Sequence, residues 1–224
     1  KNDAVFAFSS EKKSLSPLEL TAVDLHPREF LCLSLKTGSI QKKQRSFFDL
    51  DQKRAKELSQ ISEENLAAHL AELLLNAIYK RVRDVDNFGI LFSGGVDSTL
   101  LAKCCVLLGK KPTLYTGAVD CGGRLPPDLV AAEQAAAALR LPLRKKVLTL
   151  DDAEHVFEEV VEAIESKDVM KVGVASPFAV ACTLAEEDGI KVLLSGIGSE
   201  ELFAGYERHL IIFQKDAEVN EECL

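Results

Sequence analysis

Residues 93–98 of the chain, SGGVDS, combine glycines, hydroxyls and a carboxylate in a pattern that favours binding of a phosphate group. They follow the apolar run 88–92 and precede a helix-like pattern, which predicts a turn between a strand and a helix. Gly94 and Gly95 can adopt positive φ, so that backbone N–H groups can close around an anion. The helix that begins near Asp97 adds unpaired N–H donors and a partial positive charge.

Two familiar phosphate loops do not fit this segment. It lacks the Gly-Lys-Ser/Thr ending of a Walker loop, and its glycines do not have the spacing of a dinucleotide-binding fingerprint. A strand-to-helix turn that uses glycines only for its shape is the alternative interpretation.

A second glycine-bearing turn follows residues 191–194, which also have the composition of a short strand. From Ser195 to Tyr206 it reads SGIGSEELFAGY and carries two adjacent carboxylates, Glu200 and Glu201. This segment predicts another polar strand-to-helix turn, and its two acids make it a candidate partner of the first loop.

Apolar runs alternate with helix-like segments between residues 62 and 194, and this alternation predicts a parallel sheet covered by helices on both faces. The predicted strands are 88–92, 113–119, 145–150 and 191–194. The predicted helices are 62–83, 98–108, 128–139 and 152–164. In the first of them, Leu66, Leu70, Leu73 and Ala77 form an apolar stripe at helical spacing, and we expect the three leucines to be buried. The expected fold class is therefore α/β with a parallel, doubly wound sheet. Ligands of such sheets bind at the carboxyl ends of the strands near the switch point of strand order, and both turns lie at such ends.

Residues 1–48 have a different pattern, with short β-like runs at 5–8 and 30–35 among turn signals such as Thr37-Gly38. We expect antiparallel β structure here, as a small N-terminal appendage. The predicted domain boundary lies between residues 48 and 49. On spacing alone, a hairpin that decorates the α/β domain is as good an interpretation as the remnant of a separate domain.

Composition and charge argue against several classes of protein. The chain has 224 residues, of which 47% are hydrophobic and 28% charged, as expected of a globular domain. Its longest apolar run is shorter than the roughly 18 residues of a membrane span, and it does not begin with a signal-peptide pattern, so we predict a cytoplasmic protein with no membrane partner. A net charge of −8 with scattered Lys and Arg argues against a nucleic-acid partner. The six cysteines and four histidines show no metal-site spacing.

The two turns carry a resemblance to a known family. Ser93–Ser98 resembles the PP-loop of the ATP pyrophosphatases, which cleave ATP between the α and β phosphates. The segment Ser195–Tyr206 resembles the SGxGxDELFxGY segment of asparagine synthetases. With ESKDV at 165–169, the resemblance covers residues 60–209, and the chain is identified as a member of that family. The stretches 3–15 and 26–40 resemble the closing strands of the N-terminal glutaminase domain, so we expect residues 1–48 to be its remnant and the PP-loop domain, 49–224, to continue beyond the chain.

The resemblance implies nucleotide and metal ligands. It assigns pyrophosphate to the first loop and further ATP contacts to the second, with Val119 near the adenine and Mg²⁺ on Asp97 and Asp168. The residues of the two loops are Ser93, Gly94, Gly95, Asp97 and Ser98 in the first, and Ser195, Gly196, Gly198, Ser199 and Glu200 in the second. Glu200 departs from the family, which usually has Asp there, and the longer side chain could reposition a metal.

The resemblance also implies that Glu165 is the base that takes a proton from ammonia. A general base contributes about 10²–10⁴-fold to a rate. From spacing alone, Glu165 would instead belong to the solvated acidic face of the preceding helix, together with Glu158, Glu159 and Glu162.

The implied function is ATP-dependent amide formation through an acyl-adenylate, with release of AMP and pyrophosphate. Aspartate is the expected acceptor, and glutamine or free ammonia is the expected nitrogen source. One alternative is another adenylate-forming enzyme of this fold, such as a β-lactam synthetase-like protein, although that group has Tyr at the position of Glu165. The other is a non-catalytic, nucleotide-binding paralogue or regulatory subunit. A homodimer or a partner subunit is left open.

Overall fold

The computed structural model describes residues 6–19, 22–45, 52–120, 122 and 126–215. The strands are β1 Glu29–Leu33, β2 Ile40–Gln44, β3 Gly89–Leu91, β4 Thr113–Val119, β5 Leu143–Leu148 and β6 Leu193–Leu194. The helices are α1 Gln52–Leu58, α2 Glu63–Val82, α3 Val96–Leu107, α4 Pro127–Leu139, α5 Leu150–Ile164, α6 Val169–Glu187, α7 Ser199–Phe203 and α8 Glu207–Lys215, with a 3-10 helix at Lys13–Leu18.

The chain divides into two compact units, Lys1–Leu70 and Ala71–Leu224, with α2 crossing the division. The first unit contains an antiparallel hairpin in which β1 pairs with β2, from Glu29 opposite Gln44 to Leu33 opposite Ile40. Gly38 closes its turn with φ of 66° and donates its N–H to the Ser34 carbonyl at 2.8 Å. The predicted domain boundary after residue 48 stays a prediction.

The second unit contains a four-stranded parallel sheet in the order β5-β4-β3-β6, so the predicted α/β class is confirmed. The chain builds the sheet outward from β3 through β4 to β5 and then returns to add β6 on the other side of β3. The order of strands therefore switches direction between β3 and β6. In sheets of this kind a crevice opens at that point, beyond the carboxyl ends of the strands.

Neighbouring residues of the central strands point to opposite faces, and both faces are covered. Ile90 and Leu114 pack in a buried cluster with side chains of α2, α3 and α4. Leu91 and Tyr115 pack instead against Ala181 and its neighbours on α6. Each strand residue thus contributes to one of two cores, which is why the strands are continuous apolar runs.

Helix α6 is the longest element that the sequence analysis missed; α1, α8 and strand β2 were not predicted either. Asp168 caps it by accepting the Lys171 N–H at 3.0 Å. The helix is long and apolar enough to cross a membrane by length and composition, but it packs on β4, where a Cβ on Gly117 would lie 2.6 Å from the Val180 Cβ. This close packing identifies α6 as a core helix of the sheet.

Other boundaries differ from prediction by a few residues, and three expectations were wrong. Phe6–Phe8 is irregular and not a strand, while Val5 lies outside the described residues. The fifth strand ends at Leu148, because Thr149 and Asp152 form a capping box that starts α5. The predicted core stripe of α2 is also wrong, since the helix buries its last turns at Ile78 and Val82 while three leucines nearer its start are exposed: Leu66, Leu70 and Leu73.

The buried Tyr115 makes the stability of the sheet depend on pH in the alkaline range. Its hydroxyl donates to Asp188 Oδ2 at 2.9 Å, and burial, followed by that hydrogen bond, raises the pKa of Tyr115 to about 12. The ordinary pKa of tyrosine is about 10. Because the folded state holds this proton more tightly, its contribution to stability is complete below about pH 10 and is lost as the pH rises toward 12.

We therefore expect the denaturation midpoint to decrease as the pH rises from 10 to 12, and to decrease less in the Tyr115→Phe variant. The chain has three tyrosines and no tryptophan, so ultraviolet absorbance reads tyrosinate directly. Tyr115→Phe should remove a late-titrating component that the matched variant Tyr79→Phe, on α2, retains. Loss of the same component in both variants would contradict the assignment to Tyr115.

Candidate functional site

A cleft of about 300 Å³ opens where β3 and β6 end. Both predicted loops contribute to it, together with one side of α6, the short helix α7 and the residue before α8. Its lining residues are Leu91, Ser93, Asp97, Ser98, Val174, Phe178, Ser195, Gly196, Ile197, Gly198, Ser199, Glu200, Glu201 and Tyr206.

The first loop is held close to the backbone of α4. Gly94 has φ of 77°, and a Cβ there would lie 2.3 Å from the Ala132 nitrogen, so only glycine fits without displacing the helix. The prediction of positive φ was right for Gly94 and wrong for Gly95, which has φ of −68° and precedes the first residue of α3. No side chain of the described residues caps this helix N-terminus. Its first N–H groups are thus available to an anion.

Hydroxyl groups brace the same loop. Ser93 Oγ accepts the Gly95 N–H at 3.3 Å and lies 3.2 Å from Ser98 Oγ. The Thr99 Oγ1 atom is buried and has no hydrogen-bond partner among the described residues. An unsatisfied buried hydroxyl is costly, which suggests that this end of α3 is completed by a bound group or by water.

The second loop touches the first through glycine. A Cβ on Gly196 would lie 3.0 Å from the Cβ of Asp97 and 3.3 Å from the Ser98 nitrogen. Gly198 has φ of 98° and precedes α7. Ser199 Oγ donates to the Gly196 carbonyl at 2.7 Å and fixes the turn. The two loops, roughly a hundred residues apart in sequence, therefore form one continuous wall.

The sequence analysis did not assign Glu201 and Tyr206 to the site, although both lie in the quoted motif. The Tyr206 hydroxyl donates to Glu201 Oε1 at 2.6 Å. This hydrogen bond holds the pKa of Glu201 below its usual range and raises the pKa of Tyr206. The apolar residues Val174, Phe178 and Ile197 also line the cleft and were not predicted as site residues.

Five predicted site residues are not among those that line the cleft: Gly94 and Gly95 of the first loop, and Val119, Glu165 and Asp168. Glu165 is exposed at the C-terminal end of α5 with φ of 53°, and Asp168 is exposed as the N-cap of α6. Because α6 runs antiparallel to β4, both lie toward the carboxyl edge of the sheet, but outside the cleft. Val119 is the last residue of β4 and packs against a small core formed by Leu148, Ala153 and Val180.

The charge of the cleft is entirely acidic. Its lining contains the carboxylates of Asp97, Glu200 and Glu201, and no Lys or Arg is found among the described residues that line it. Carboxylate oxygens are the ligands that Mg²⁺ prefers. No group of three or more His, Cys, Asp or Glu side chains has metal-binding geometry in the described part of the chain, so a metal here would share its coordination with another ligand such as phosphate.

The family assignment follows from comparison with known proteins. A family model described as "Asparagine synthase" matches residues 69–220. The chain belongs to the asparagine synthase family. The match covers nearly all of the second compact unit, which contains the sheet and the cleft.

Curated relatives agree with this membership. The chain is 38% identical over 235 residues to "Putative asparagine synthetase (glutamine-hydrolyzing) 1" of Methanocaldococcus jannaschii, covering 99% of the chain and 42% of that protein. It is 32% identical over 139 residues to an asparagine synthetase of Brassica oleracea, covering 58% of the chain and 23% of the relative. The chain thus spans less than half the length of these asparagine synthase family relatives.

Solved structures give weaker matches. An ammonia-dependent NAD synthetase from Campylobacter jejuni aligns with a TM-score of 0.42 and 17% identity, covering 62% of this chain and 60% of that one. The NAD⁺ synthetase of Burkholderia pseudomallei aligns with a TM-score of 0.35 and 14% identity, covering 69% of this chain and 76% of that one. Membership of the asparagine synthase family rests on the sequence comparisons.

Proposed function

We propose that the cleft binds ATP with Mg²⁺, and that the full-length protein uses it to activate a carboxylate for amide formation. The observation that carries this proposal is the contact between the two glycine-bearing loops at the switch point of the sheet. The first loop and the uncapped N-terminus of α3 supply N–H donors for phosphate oxygens. Ser93, Ser98, Ser195 and Ser199 supply hydroxyls around them.

The carboxylates of the cleft fit Mg²⁺. When bound, the metal would offset charge on the phosphates as pyrophosphate departs. Asp97 and Glu200 both line the cleft and are the residues that we propose as its ligands. The resemblance also implies Asp168 as a ligand of Mg²⁺. That role stays a proposal, and the Asp168 carboxylate already accepts the Lys171 N–H at the cap of α6. The fit of Glu200 in place of the usual Asp is part of the same proposal.

The proposed reaction has two steps. An oxygen of the acceptor carboxylate attacks the α-phosphorus of ATP, and pyrophosphate leaves. Ammonia then attacks the acyl carbon, and AMP leaves with the electrons of the broken C–O bond, while a base takes the proton from nitrogen. We propose aspartate as the acceptor, ammonia from glutamine or from solution as the nitrogen source, and the cytoplasm, where these substrates occur, as the location.

Glu165 is the base that the resemblance implies, and its position favours a second candidate function. Its carboxylate is exposed at the end of α5 and does not line the cleft. A proton acceptor must come within hydrogen-bond reach of the attacking nitrogen. The alternative is therefore a protein that binds nucleotide in this cleft and regulates a partner without forming the amide.

We expect ATP to bind the chain with an affinity that depends on Mg²⁺, and AMP to bind independently of the metal. The reason is that the loops provide N–H donors for one phosphate, whereas the acidic cleft needs a metal to accept more. Isothermal titration calorimetry measures both affinities. Absence of heat from ATP and from AMP at millimolar concentration would exclude the nucleotide site.

Pyrophosphate exchange separates the two candidate functions. Full-length protein that activates a carboxylate should exchange labelled pyrophosphate into ATP when an amino acid is supplied. ATP binding without exchange, for aspartate and every other amino acid tried, would establish the binding-only function.

A further inference from the structure

The Tyr206 ring, which lines the cleft, is contacted by two neighbouring side chains. The Arg208 guanidinium carbon lies 4.1 Å from the centroid of the Tyr206 ring, and the His209 ring meets it edge-on with centroids 5.4 Å apart. His209 itself is only 9% exposed. The ring therefore has little freedom to turn, and its hydroxyl is directed at Glu201 Oε1 at 2.6 Å.

This contact fixes the position of Glu201. The hydrogen bond from the Tyr206 hydroxyl holds Glu201 Oε1 in place. The hydroxyl uses one oxygen, whereas a carboxylate offers about four lone-pair sites on two oxygens. Glu201 lines the cleft and thus retains acceptor capacity for a ligand there.

Part of the lining of the same cleft is apolar. Val174, Phe178 and Ile197 line the same cleft and, like Leu91, can contact carbon atoms but not charges. Glu201 adds a carboxylate to the same lining, and a carboxylate attracts the cationic group of a ligand. A ligand with an ammonium group on a short carbon skeleton matches this combination.

We propose that Tyr206 is a positioning residue that holds Glu201 to receive the ammonium group of an amino-acid acceptor, while the apolar part of the lining contacts the acceptor's carbon chain. The inference rests on the proposed function, because it assigns an amino-acid substrate to the same cleft. It gives Glu201 a role separate from Asp97 and Glu200, which are the residues proposed as ligands of Mg²⁺.

Aspartate and succinate provide the test, because they differ only in the ammonium group. Their affinities are measured by calorimetry on full-length protein saturated with Mg²⁺ and an ATP analogue that cannot be cleaved between the α and β phosphates. Aspartate should bind the parent protein about tenfold or more tighter than succinate, as expected of a hydrogen-bonded charge pair. Tyr206→Phe keeps the ring and its contacts but removes the hydroxyl, and should weaken aspartate several-fold while leaving succinate unchanged.

Two further variants complete the design. Glu201→Gln should abolish the preference for aspartate over succinate, and Tyr79→Phe on α2 is the matched control that should leave it intact. Equal weakening of both ligands by Tyr206→Phe would show a merely structural role and would overturn the inference. So would an unchanged preference, or a change in the Mg²⁺ dependence of ATP binding, which would make Glu201 a metal ligand.

Failure of the wider proposal gives a different result. If the parent protein does not bind the ATP analogue, the nucleotide site itself is refuted. If it binds the analogue but does not prefer aspartate to succinate, only the role of Tyr206 and Glu201 is refuted.

Discussion

Gly94→Ala is expected to reduce ATP affinity on the order of 10²-fold, because displacing a positioned site by about 1 Å has effects of this size. The new Cβ would lie 2.3 Å from the Ala132 nitrogen and 2.5 Å from the Ala131 carbonyl carbon. These are backbone atoms of α4 that cannot turn aside as a flexible side chain could. The loop or the helix must move, and the N–H groups of the loop would lose their alignment on phosphate. Calorimetry with ATP and Mg²⁺ measures the loss.

The C-terminal end of α3, the helix that follows the Gly94 loop, supplies the control. Gly109 follows α3, has φ of 75°, and has no atom within 4 Å of the position a Cβ would take. Gly109→Ala therefore introduces the left-handed strain of about 1–2 kcal/mol without the collision. It should lower the denaturation midpoint and leave ATP affinity intact. Equal loss of ATP binding in both variants, or normal ATP binding in Gly94→Ala, would contradict the proposal that the first loop binds phosphate.

Asp97→Asn has the second large expected effect. We expect pyrophosphate exchange in the full-length protein to fall by about 10²–10³-fold, because a group that offsets developing charge has an effect of this size. Asparagine keeps the shape of the side chain and its contact with Gly196, so the two loops stay together. What is lost is the negative charge that would hold Mg²⁺ beside the phosphates. ATP affinity should lose its Mg²⁺ dependence at the same time.

Asp128→Asn is the matched control for this variant. Asp97 and Asp128 both lie in the first turn of a helix, α3 and α4 respectively, where an acid interacts favourably with the helix dipole. Only Asp97 lines the cleft. If both variants reduced exchange equally, the effect would come from helix stability and not from the site. Unchanged exchange in Asp97→Asn would remove this residue from the proposed mechanism.

The parallel sheet was predictable because its central strands are unbroken apolar runs between helix-like segments. β4 was predicted to the residue, since buried strands must satisfy two cores at once and leave little doubt about their ends. Helix α6 was missed because it contains Gly173 and Pro177 and is apolar on most sides, so that no single stripe stands out. The prediction of buried leucines on α2 was wrong although its apolar stripe is clear. Its leucines have helical spacing, but periodicity does not say which turns reach a core.

The two turns that line the candidate cleft were predictable as turns, whereas the helices that line it were not, and the roles assigned to the site residues stay predictions. The two loops meet because β3 and β6 are neighbours. A switch in strand order allows this pairing, but the sequence pattern does not predict which strands become neighbours. Glu165 and Asp168 were assigned by resemblance, and their distance from the cleft reflects where α5 ends and α6 begins. Glu201 and Tyr206 were named in the motif but were given no role, because their pairing spans a turn of irregular backbone between α7 and α8.

The two-residue strand β6 makes the site a late product of synthesis on the ribosome. It pairs with β3 only through Gly89 opposite Leu193 and Ile90 opposite Leu194, so the nascent chain must extend by about another hundred residues before β3 gains this neighbour. Pairing over such a sequence separation is slow, and a short strand returns few hydrogen bonds for the loop closure that it requires. A nucleotide that bridges both loops would bind only the docked state and so stabilise it by mass action. If the proposed nucleotide site is right, ATP would therefore also act as a ligand that favours the docked strand.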